Sequence, residues 1–344
     1  MQALFLVGEQ RSGSNLLRLM ISNSHEIAAP HPPHILQRIH PVVPVYQILS
    51  DSQFDQMVEI VCLLVEKNPV PWLNTVLIRD EVKKLCREKH VIAIYGAVMD
   101  IYADSNNARK WMCKSMQNIR WADHLNNYFK TNKYIFLHRD ARDVALSFSK
   151  AVIGEKHMYC ITKQWVELQR LCLDARSKLP TDRFFTMSYT ELTDETESTL
   201  RNLCAFLHVE FTPEMMEFYE SEEAKNTARS SSLWENVTKP IMHHNSNKFL
   251  KELSEENVRI VESVAGNELD ELGYERVYIK KGEEIQFTPE QIAAFKVENE
   301  RLKKEQTAKT DPEDARKRKI QEAVLDEMKV MVKEWQLKEE KVLS

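Results

Sequence analysis

Four short apolar runs, each bounded by polar loop residues, constrain the fold of this chain most strongly. They cover residues 4–7, 110–113, 134–137 and 184–187. Their length suits strands, and their continuous apolar character predicts burial on both faces of a sheet. Segments with helical periodicity lie between them, including residues 15–21, 140–149 and 196–207. Strands that alternate with helices predict a three-layer α/β sandwich around a central parallel sheet.

Two further segments stand apart from this alternation. Residues of about 35–107 have mostly helical patterning, interrupted by several prolines, which predicts a helical insertion over one end of the sheet. From residue 286 onward, roughly half of the residues are charged. We therefore predict a domain of residues 1–285 and a charged, helical C-terminal arm of residues 286–344.

The predicted arm has its own helix signals. Pro289 suits the first turn of one helix, and Asp311–Pro312 suits a break before a second. Apolar residues recur there at helical spacing and form one stripe. Such a stripe can pack on the body or mediate self-association, and a solvated, partly frayed extension is the alternative. The stripe consists of Ile320, Val324, Met328, Met331 and Trp335.

Charge and composition narrow the class of protein. The formal net charge of −5 argues against a whole-chain affinity for nucleic acid or an anionic membrane, so any anion site must be local. No apolar stretch approaches the roughly 20 residues that span a bilayer. The N-terminal run lacks a basic segment, and the six cysteines show no paired spacing. These features predict a cytoplasmic enzyme with reduced thiols.

The loop at residues 8–15, Gly-Glu-Gln-Arg-Ser-Gly-Ser-Asn, lies between the first strand and the first helix. A turn at Gly13 can direct backbone N–H groups inward, and the helix N-terminus adds partial positive charge. Arg11 supplies a forked cation, while Ser12, Ser14 and Asn15 supply short polar groups. The Gly-Lys-Ser/Thr ending of a Walker A loop is absent, so a metal-free anion site is favoured over a nucleoside triphosphate site.

A second motif follows the third predicted strand. It reads His138-Arg139-Asp140-Ala141-Arg142-Asp143, with Ser147 two helical turns further on. Ala145 occupies the place of the metal-binding Asn in a protein-kinase catalytic loop, so the kinase interpretation fails. Arg139 and Ser147 could hold one phosphate together. The alternative is a buried Arg–Asp pair that only fixes the strand–helix corner.

Together the two motifs resemble the sulfotransferases that depend on 3′-phosphoadenosine-5′-phosphosulfate (PAPS). The Arg-Ser-Gly-Ser loop is most similar to the tyrosylprotein and bacterial branches, which carry Arg where other branches carry Lys. Further similarities are Lys114-Ser115, Trp165, the segment 188–192 and the segments 239–241 and 247–249. The resemblance implies a P-loop NTPase-like sheet and transfer of a sulfuryl group from PAPS to a hydroxyl acceptor, leaving adenosine 3′,5′-bisphosphate.

The resemblance also implies residue roles. Residues Arg11, Ser12, Gly13, Ser14 and Asn15 would hold the 5′-phosphosulfate, with Arg11 as the main electrostatic catalyst. Arg139 and Ser147 would bind the 3′-phosphate, and Tyr189 and Lys248 would belong to the same donor site. No metal is required. The acceptor is expected to be a small molecule or a carbohydrate, while peptide tyrosine and a lipid headgroup stay open as alternatives.

The general base is where the sequence departs from the tyrosylprotein branch, which carries a glutamate shortly after the loop helix. The corresponding stretch here contains His31 and His34, and an imidazole can accept a proton near neutral pH. A residue of the helical insertion is the alternative base. A metal site formed by His25, His31, His34 and His40 matches no zinc spacing.

Two other functions stay open at this stage. One is a small-molecule kinase on the same loop-and-sheet plan, which the missing Lys-Ser/Thr pair disfavours. The other is a catalytically degenerate nucleotide-binding protein whose charged arm recruits partners.

Overall fold

One parallel sheet organises the computed structural model, which describes residues 1–230 and 232–343. The strands within these residues lie in the order β2-β3-β1-β4-β5, and every pair is parallel. They are β1 (Gln2–Gly8), β2 (Ile27–Ala28), β3 (Lys110–Cys113), β4 (Lys133–His138) and β5 (Phe184–Ser188). The four predicted strands are confirmed within two residues at each end. The edge strand β2 was not predicted, because two residues give no apolar run.

Helices connect the strands and continue beyond the sheet. The first group is α1 (Ser14–Ser22), α2 (Ile35–Ile39), α3 (Asp51–Glu66), α4 (Arg79–Leu85), α5 (Val91–Ser105), α6 (Ala122–Phe129), α7 (Ala141–Lys150) and α8 (Met158–Lys178). The second is α9 (Tyr189–Asp194), α10 (Thr196–Leu207), α11 (Glu222–Ser230), α12 (Phe249–Glu252), α13 (Glu255–Glu271), α14 (Pro289–Thr307) and α15 (Pro312–Leu343). Short 3-10 turns cover Met116–Trp121, Pro213–Met215, Phe218–Glu220 and Ser232–Thr238.

Both faces of the sheet are covered, because alternate side chains of each strand point to opposite sides. On β1, Leu4 and Leu6 pack in one apolar cluster with α1 and α10. Phe5 and Val7 pack in a second cluster with α3 and α5. The predicted three-layer α/β architecture with a parallel sheet is therefore confirmed.

The strand order places the loop after β1 at a topological switch point. β1 lies between β3 and β4. After β1 the chain continues to β2 and β3 on one side of β1, and after β4 it continues to β5 on the other side. Ligands of open parallel sheets bind beyond the carboxyl ends of the strands at such a point. The residues that follow β1, β3, β4 and β5 therefore converge at one edge.

The C-terminal helices pack against the rest of the chain. Val324, Met328 and Trp335 are buried against α3, as the predicted stripe requires. Ile320 differs from the prediction, since it is 42% exposed. Its neighbour Gln321 turns inward instead and donates its side-chain N–H to the carbonyl of Leu64 over 2.8 Å.

The helix bounds agree with the predicted signals: α14 begins at Pro289 and α15 begins at Pro312. The division into a domain of residues 1–285 and an arm of 286–344 stays a prediction. No helix among the described residues has the length and apolar character needed to cross a membrane.

Candidate active site

The loop after β1 turns sharply into α1 through two glycines. Gly8 has φ of 126° and Gly13 has φ of 90°, a region that strongly favours glycine. A Cβ on Gly13 would lie 2.6 Å from Cδ2 of Tyr189, so the close approach of this ring also requires glycine. α1 begins at Ser14 without a side-chain cap, which leaves its first N–H groups available to an anion.

Two polar side chains of this loop lack partners. Ser12 Oγ and Asn15 Oδ1 are buried, and neither has a hydrogen-bond partner among the described residues. An unpaired buried polar group costs free energy and calls for an explanation such as a missing ligand. Both atoms can therefore form a further hydrogen bond with a polar group in the loop.

Glu9 anchors the start of the same loop. Its carboxylate accepts hydrogen bonds from the Gln10 N–H over 2.7 Å and from Gln164 Nε2 over 2.9 Å. Burial raises the pKa of Glu9 to about 7 in spite of these hydrogen bonds. The Gln164 contact ties the loop to α8.

The two sequence motifs meet through Arg11. Its Nε donates to Ser147 Oγ over 3.0 Å. Arg139 Nη1 donates to the carbonyl oxygen of Arg11 over 3.2 Å, and Arg139 Nη2 donates to the carbonyl of Asn245 over 2.8 Å. Groups that lie more than a hundred residues apart in sequence thus surround one cavity.

Arg142 forms the shortest buried ion pairs at the strand–helix corner. Asp140 accepts from Arg142 Nε over 2.9 Å and from Nη2 over 2.6 Å, and it also caps α7. Arg142 Nη1 donates to Glu262 over 2.6 Å. Arg139 Nη2 lies 3.8 Å from Asp143 Oδ2, and the Arg139 side chain also lines the cavity. Its buried Nε has no hydrogen-bond partner among the described residues.

The Tyr189 ring packs against the Arg139 guanidinium. The guanidinium carbon lies 4.1 Å from the centre of the Tyr189 ring, which is a cation–π contact. Asn245 Nδ2 donates to Tyr189 Oη over 2.7 Å, so the ring is held from its polar end as well. Trp165 Nε1 donates to the carbonyl of Arg139 over 3.2 Å and fixes the backbone behind it.

Lys248 reaches the cavity because α7 holds the segment before α12. The Asp143 carboxylate accepts from the backbone N–H groups of Asn247 over 2.8 Å and Phe249 over 3.1 Å. These two bonds flank Lys248, whose side chain lines the cavity.

Lys114 follows β3 and lies beside the loop after β1. It is 9% exposed, and among the described residues its ammonium has no hydrogen-bond or ion-pair partner. Burial, followed by the nearby charges of Arg18 and Arg11, lowers the pKa of Lys114 to about 7. A bound anion would favour the charged form and raise this pKa again.

Both candidate bases line the cavity. Neither ring nitrogen of His31 has a hydrogen-bond partner among the described residues, nor does Nδ1 of His34. Burial, followed by the charge of Lys114, lowers the pKa of His34 to about 3. The same two causes lower the pKa of His31 well below its usual value. Both imidazoles are therefore neutral at pH 7, and burial makes each a weaker base than a free imidazole.

The cavity that these side chains share has a volume of about 610 Å³, which suits small-molecule ligands. Among the described residues that line it, nine are lysine or arginine and four are aspartate or glutamate. Positive charge is thus concentrated in the cavity, although the whole chain has a net charge of −5. Its far wall comes from α15.

No group of three or more His, Cys, Asp or Glu residues within 1–230 and 232–343 is arranged to hold a metal ion. The histidines at positions 25, 31, 34 and 40 do not form such a group.

A sequence model of the sulfotransferase family matches residues 3–213, which is more than half of the chain. The chain belongs to the sulfotransferase family. The matched residues of this sulfotransferase include both motifs and every strand of the described sheet. The resemblance drawn from the two motifs is therefore confirmed at the level of the family. Comparison with curated protein sequences gives no match.

Solved structures resemble this sulfotransferase in fold. The sulfotransferase domain from the curacin biosynthetic pathway has a TM-score of 0.54 and 20% identity, and the match covers 80% of this chain and 99% of that one. The sulfotransferase domain of the Synechococcus PCC 7002 olefin synthase has a TM-score of 0.48 and 20% identity, covering 77% and 94%. A sulfotransferase from Mycobacterium avium has a TM-score of 0.46 and 15% identity, covering 80% and 77%.

The structure brings the sequence-predicted site residues of the sulfotransferase together. All except Ser12, which is buried in the loop, line the cavity, and their roles stay predictions. The lining members are Arg11, Gly13, Ser14, Asn15, His31, His34, Arg139, Ser147, Tyr189 and Lys248.

Sequence reasoning missed other lining residues of the sulfotransferase. Lys114 was noted only as a similarity, although its position directly after a central strand is a usable signal. Arg38, Lys317 and Arg318 also line the cavity. No sequence pattern joins Arg38 to the C-terminal arm, because only the packing of α15 on α3 brings them near.

Proposed function

We propose that this sulfotransferase transfers a sulfuryl group from PAPS to a hydroxyl acceptor and releases adenosine 3′,5′-bisphosphate. The observation that carries the proposal is the junction of the two motifs, in which Arg11 bonds Ser147 and Arg139 bonds the Arg11 carbonyl. When bound, PAPS supplies a sulfuryl group that is already activated by its phosphate leaving group.

The unpaired groups of the site fit such a donor. Arg11 and the free N–H groups of α1 would stabilise the charge that develops on the 5′-phosphate. The Ser12 hydroxyl and the Arg139 Nε, both buried without described partners, would gain hydrogen bonds to phosphate oxygens. Ser147 and Lys248 would complete the 3′-phosphate end, beside the Tyr189 ring.

His34 is our candidate for the general base, with His31 as the alternative. Both imidazoles are neutral, and both nitrogens of His31 and Nδ1 of His34 have no hydrogen-bond partner among the described residues. In our proposal one of them takes the proton of the acceptor hydroxyl. The low pKa of His34 partly reflects the positive charge of Lys114. An anionic donor beside Lys114 would offset that charge and raise the basicity of the imidazole.

Small molecules and carbohydrates are the acceptors that we expect for a cavity of this size. The described cysteines are free, which accords with a cytoplasmic location. The family match does not favour the kinase or the degenerate-binding alternative. Self-association through the arm stays a prediction, since part of its apolar stripe already packs on α3.

The test combines calorimetry with transfer of labelled sulfate from PAPS. Arg11→Ala should lower kcat by about a hundredfold or more, because it removes charge stabilisation in the transition state. Arg139→Ala should weaken binding of adenosine 3′,5′-bisphosphate by about tenfold or more. His34→Asn should lower kcat and leave bisphosphate affinity unchanged.

Arg201→Ala is the matched control, because Arg201 is exposed on α10 and pairs with Glu197. Unaltered bisphosphate affinity in Arg139→Ala would contradict the donor assignment. Full activity in His34→Asn would transfer the role of base to His31. Binding of Mg-ATP instead of the bisphosphate would revive the kinase alternative.

A further inference from the structure

The same cavity is lined by a second group of cations, which the sulfotransfer proposal does not use. We call Arg38, Lys317 and Arg318 the arm-side cations. Arg38 lies on α2, and the other two lie on the first turns of α15. All three line the same cavity as Arg11 and Lys114.

Neighbouring charges show how this group lies relative to the donor end. Lys114 interacts electrostatically with Arg11 and with His34. His34 in turn interacts with Arg38, and Arg38 interacts with Arg318. Arg38 thus lies near both a candidate base and Arg318 in the shared cavity.

The arm-side cations are incompletely paired. Arg38 Nε is buried without a hydrogen-bond partner, and within residues 1–230 and 232–343 neither Arg38 nor Arg318 forms a hydrogen bond or an ion pair. Lys317 donates to the carbonyl of Ser230 over 3.2 Å. Glu322 and Asp314 also line this region and leave an excess of one positive charge.

A partly buried guanidinium without a bonded acceptor is costly unless a ligand supplies one. Glu322 is near enough to attract Arg38, yet it forms no ion pair with it. Arg38 and Arg318 line the cavity from two different helices. A carboxylate between them could accept hydrogen bonds from both guanidinium groups. A neutral sulfuryl acceptor would leave the N–H groups of Arg38 and Arg318 without an anionic hydrogen-bond partner.

We propose, resting on the proposed sulfotransfer, that the acceptor is a hydroxy acid whose anionic group binds Arg38 and Arg318 while its hydroxyl faces His34. His34 precedes α2 in a left-handed conformation, and Arg38 lies four positions later within that helix. The hydroxyl and the anion of the acceptor are therefore separated by several bonds. This spacing suits a hydroxyaryl acid better than a short 2-hydroxy acid.

The test measures binding of two matched probes to the full chain saturated with adenosine 3′,5′-bisphosphate. The probes are para-hydroxyphenylacetate and its neutral amide. Calorimetry measures the affinity of the protein for each. The wild-type protein should bind the carboxylate about tenfold more tightly than the amide. Arg38→Gln and Arg318→Gln should each remove this preference without changing affinity for the bisphosphate or the amide.

Arg316→Gln is the control, because Arg316 is exposed on the same helix and pairs with Glu313. It should behave as wild type. Equal binding of the two probes, or binding of neither, with the bisphosphate still bound, would overturn the anionic subsite. An unchanged preference in both variants would also overturn it. If the wild-type protein does not bind adenosine 3′,5′-bisphosphate at all, that result would overturn the proposed sulfotransfer from PAPS instead.

Discussion

Lys114 is the residue whose ionisation should respond most directly to the donor. Its pKa is lowered to about 7 by burial and by the charges of Arg18 and Arg11. Below pH 7 the ammonium is already present when the donor product binds. Above pH 7 the neutral amine must take up a proton, since a bound anion favours the charged form.

We therefore predict that the affinity for adenosine 3′,5′-bisphosphate falls as pH rises above 7, by at most about tenfold per pH unit. Calorimetry in buffers of different ionisation enthalpy should show proton uptake in this range. Lys114→Met should reduce the uptake, and the remainder is expected from Glu9, whose pKa is also about 7. Lys110→Met, which changes the opposite end of β3, should retain it, and an identical pH profile in both variants would contradict the assignment.

Residue roles at the second motif could be predicted only in part. The sequence offers two arginines and two aspartates, and nothing in the pattern says which arginine fixes the corner. The structure gives that place to Arg142, because Asp140 and Glu262 both lie within hydrogen-bond distance of it. Arg139 was predicted at the cavity, and the contact of its guanidinium with Tyr189 could not be foreseen without the register of β4 with β5.

At the scale of elements, α14 supports the loop between α7 and α8. Asn299 is 3% exposed, and its Oδ1 accepts from the backbone N–H groups of Lys156 over 2.8 Å and His157 over 3.0 Å. Ile153 of the same loop lines the cavity. A side chain of the predicted arm thus holds a segment of the predicted domain in place.

Asn299→Ala should lower the free energy of unfolding by about 1–3 kcal/mol, because it leaves two backbone donors without an acceptor. Denaturant unfolding followed by circular dichroism measures the change. Asn202→Ala is the control, since Asn202 is exposed on α10. Equal stability of the two variants would mean that α14 contributes little to the body.

Elements with strong patterns were predictable, and those that depend on tertiary contacts were not. The four long strands have continuous apolar runs, whereas β2 exists only through its pairing with β3. On α15 the spacing alone favoured Ile320, yet the carbonyl at Leu64 draws Gln321 inward and leaves Ile320 outside. Val332 is buried in the same interface, although it was not assigned to the stripe.

For the whole molecule, the uneven distribution of charge should govern ligand binding. The chain carries a net charge of −5, while lysine and arginine outnumber acidic residues among the described residues that line the cavity. We predict that bisphosphate affinity falls by about tenfold between roughly 50 and 300 mM KCl, because salt screens this attraction. Calorimetry measures the slope, and an affinity independent of salt would contradict the prediction.

The cavity wall formed by α15 depends on contacts between α15 and α3, which lie far apart in the sequence. Gln321 bonds to Leu64 across 257 positions, and Trp335 bonds to Gln56 across 279. Closing loops of this length costs entropy before any contact repays it. The sheet can pair without α15, whereas α15 needs a finished α3 to dock on. We therefore expect the donor end of the cavity to form early in folding and the wall near Arg38 to form last.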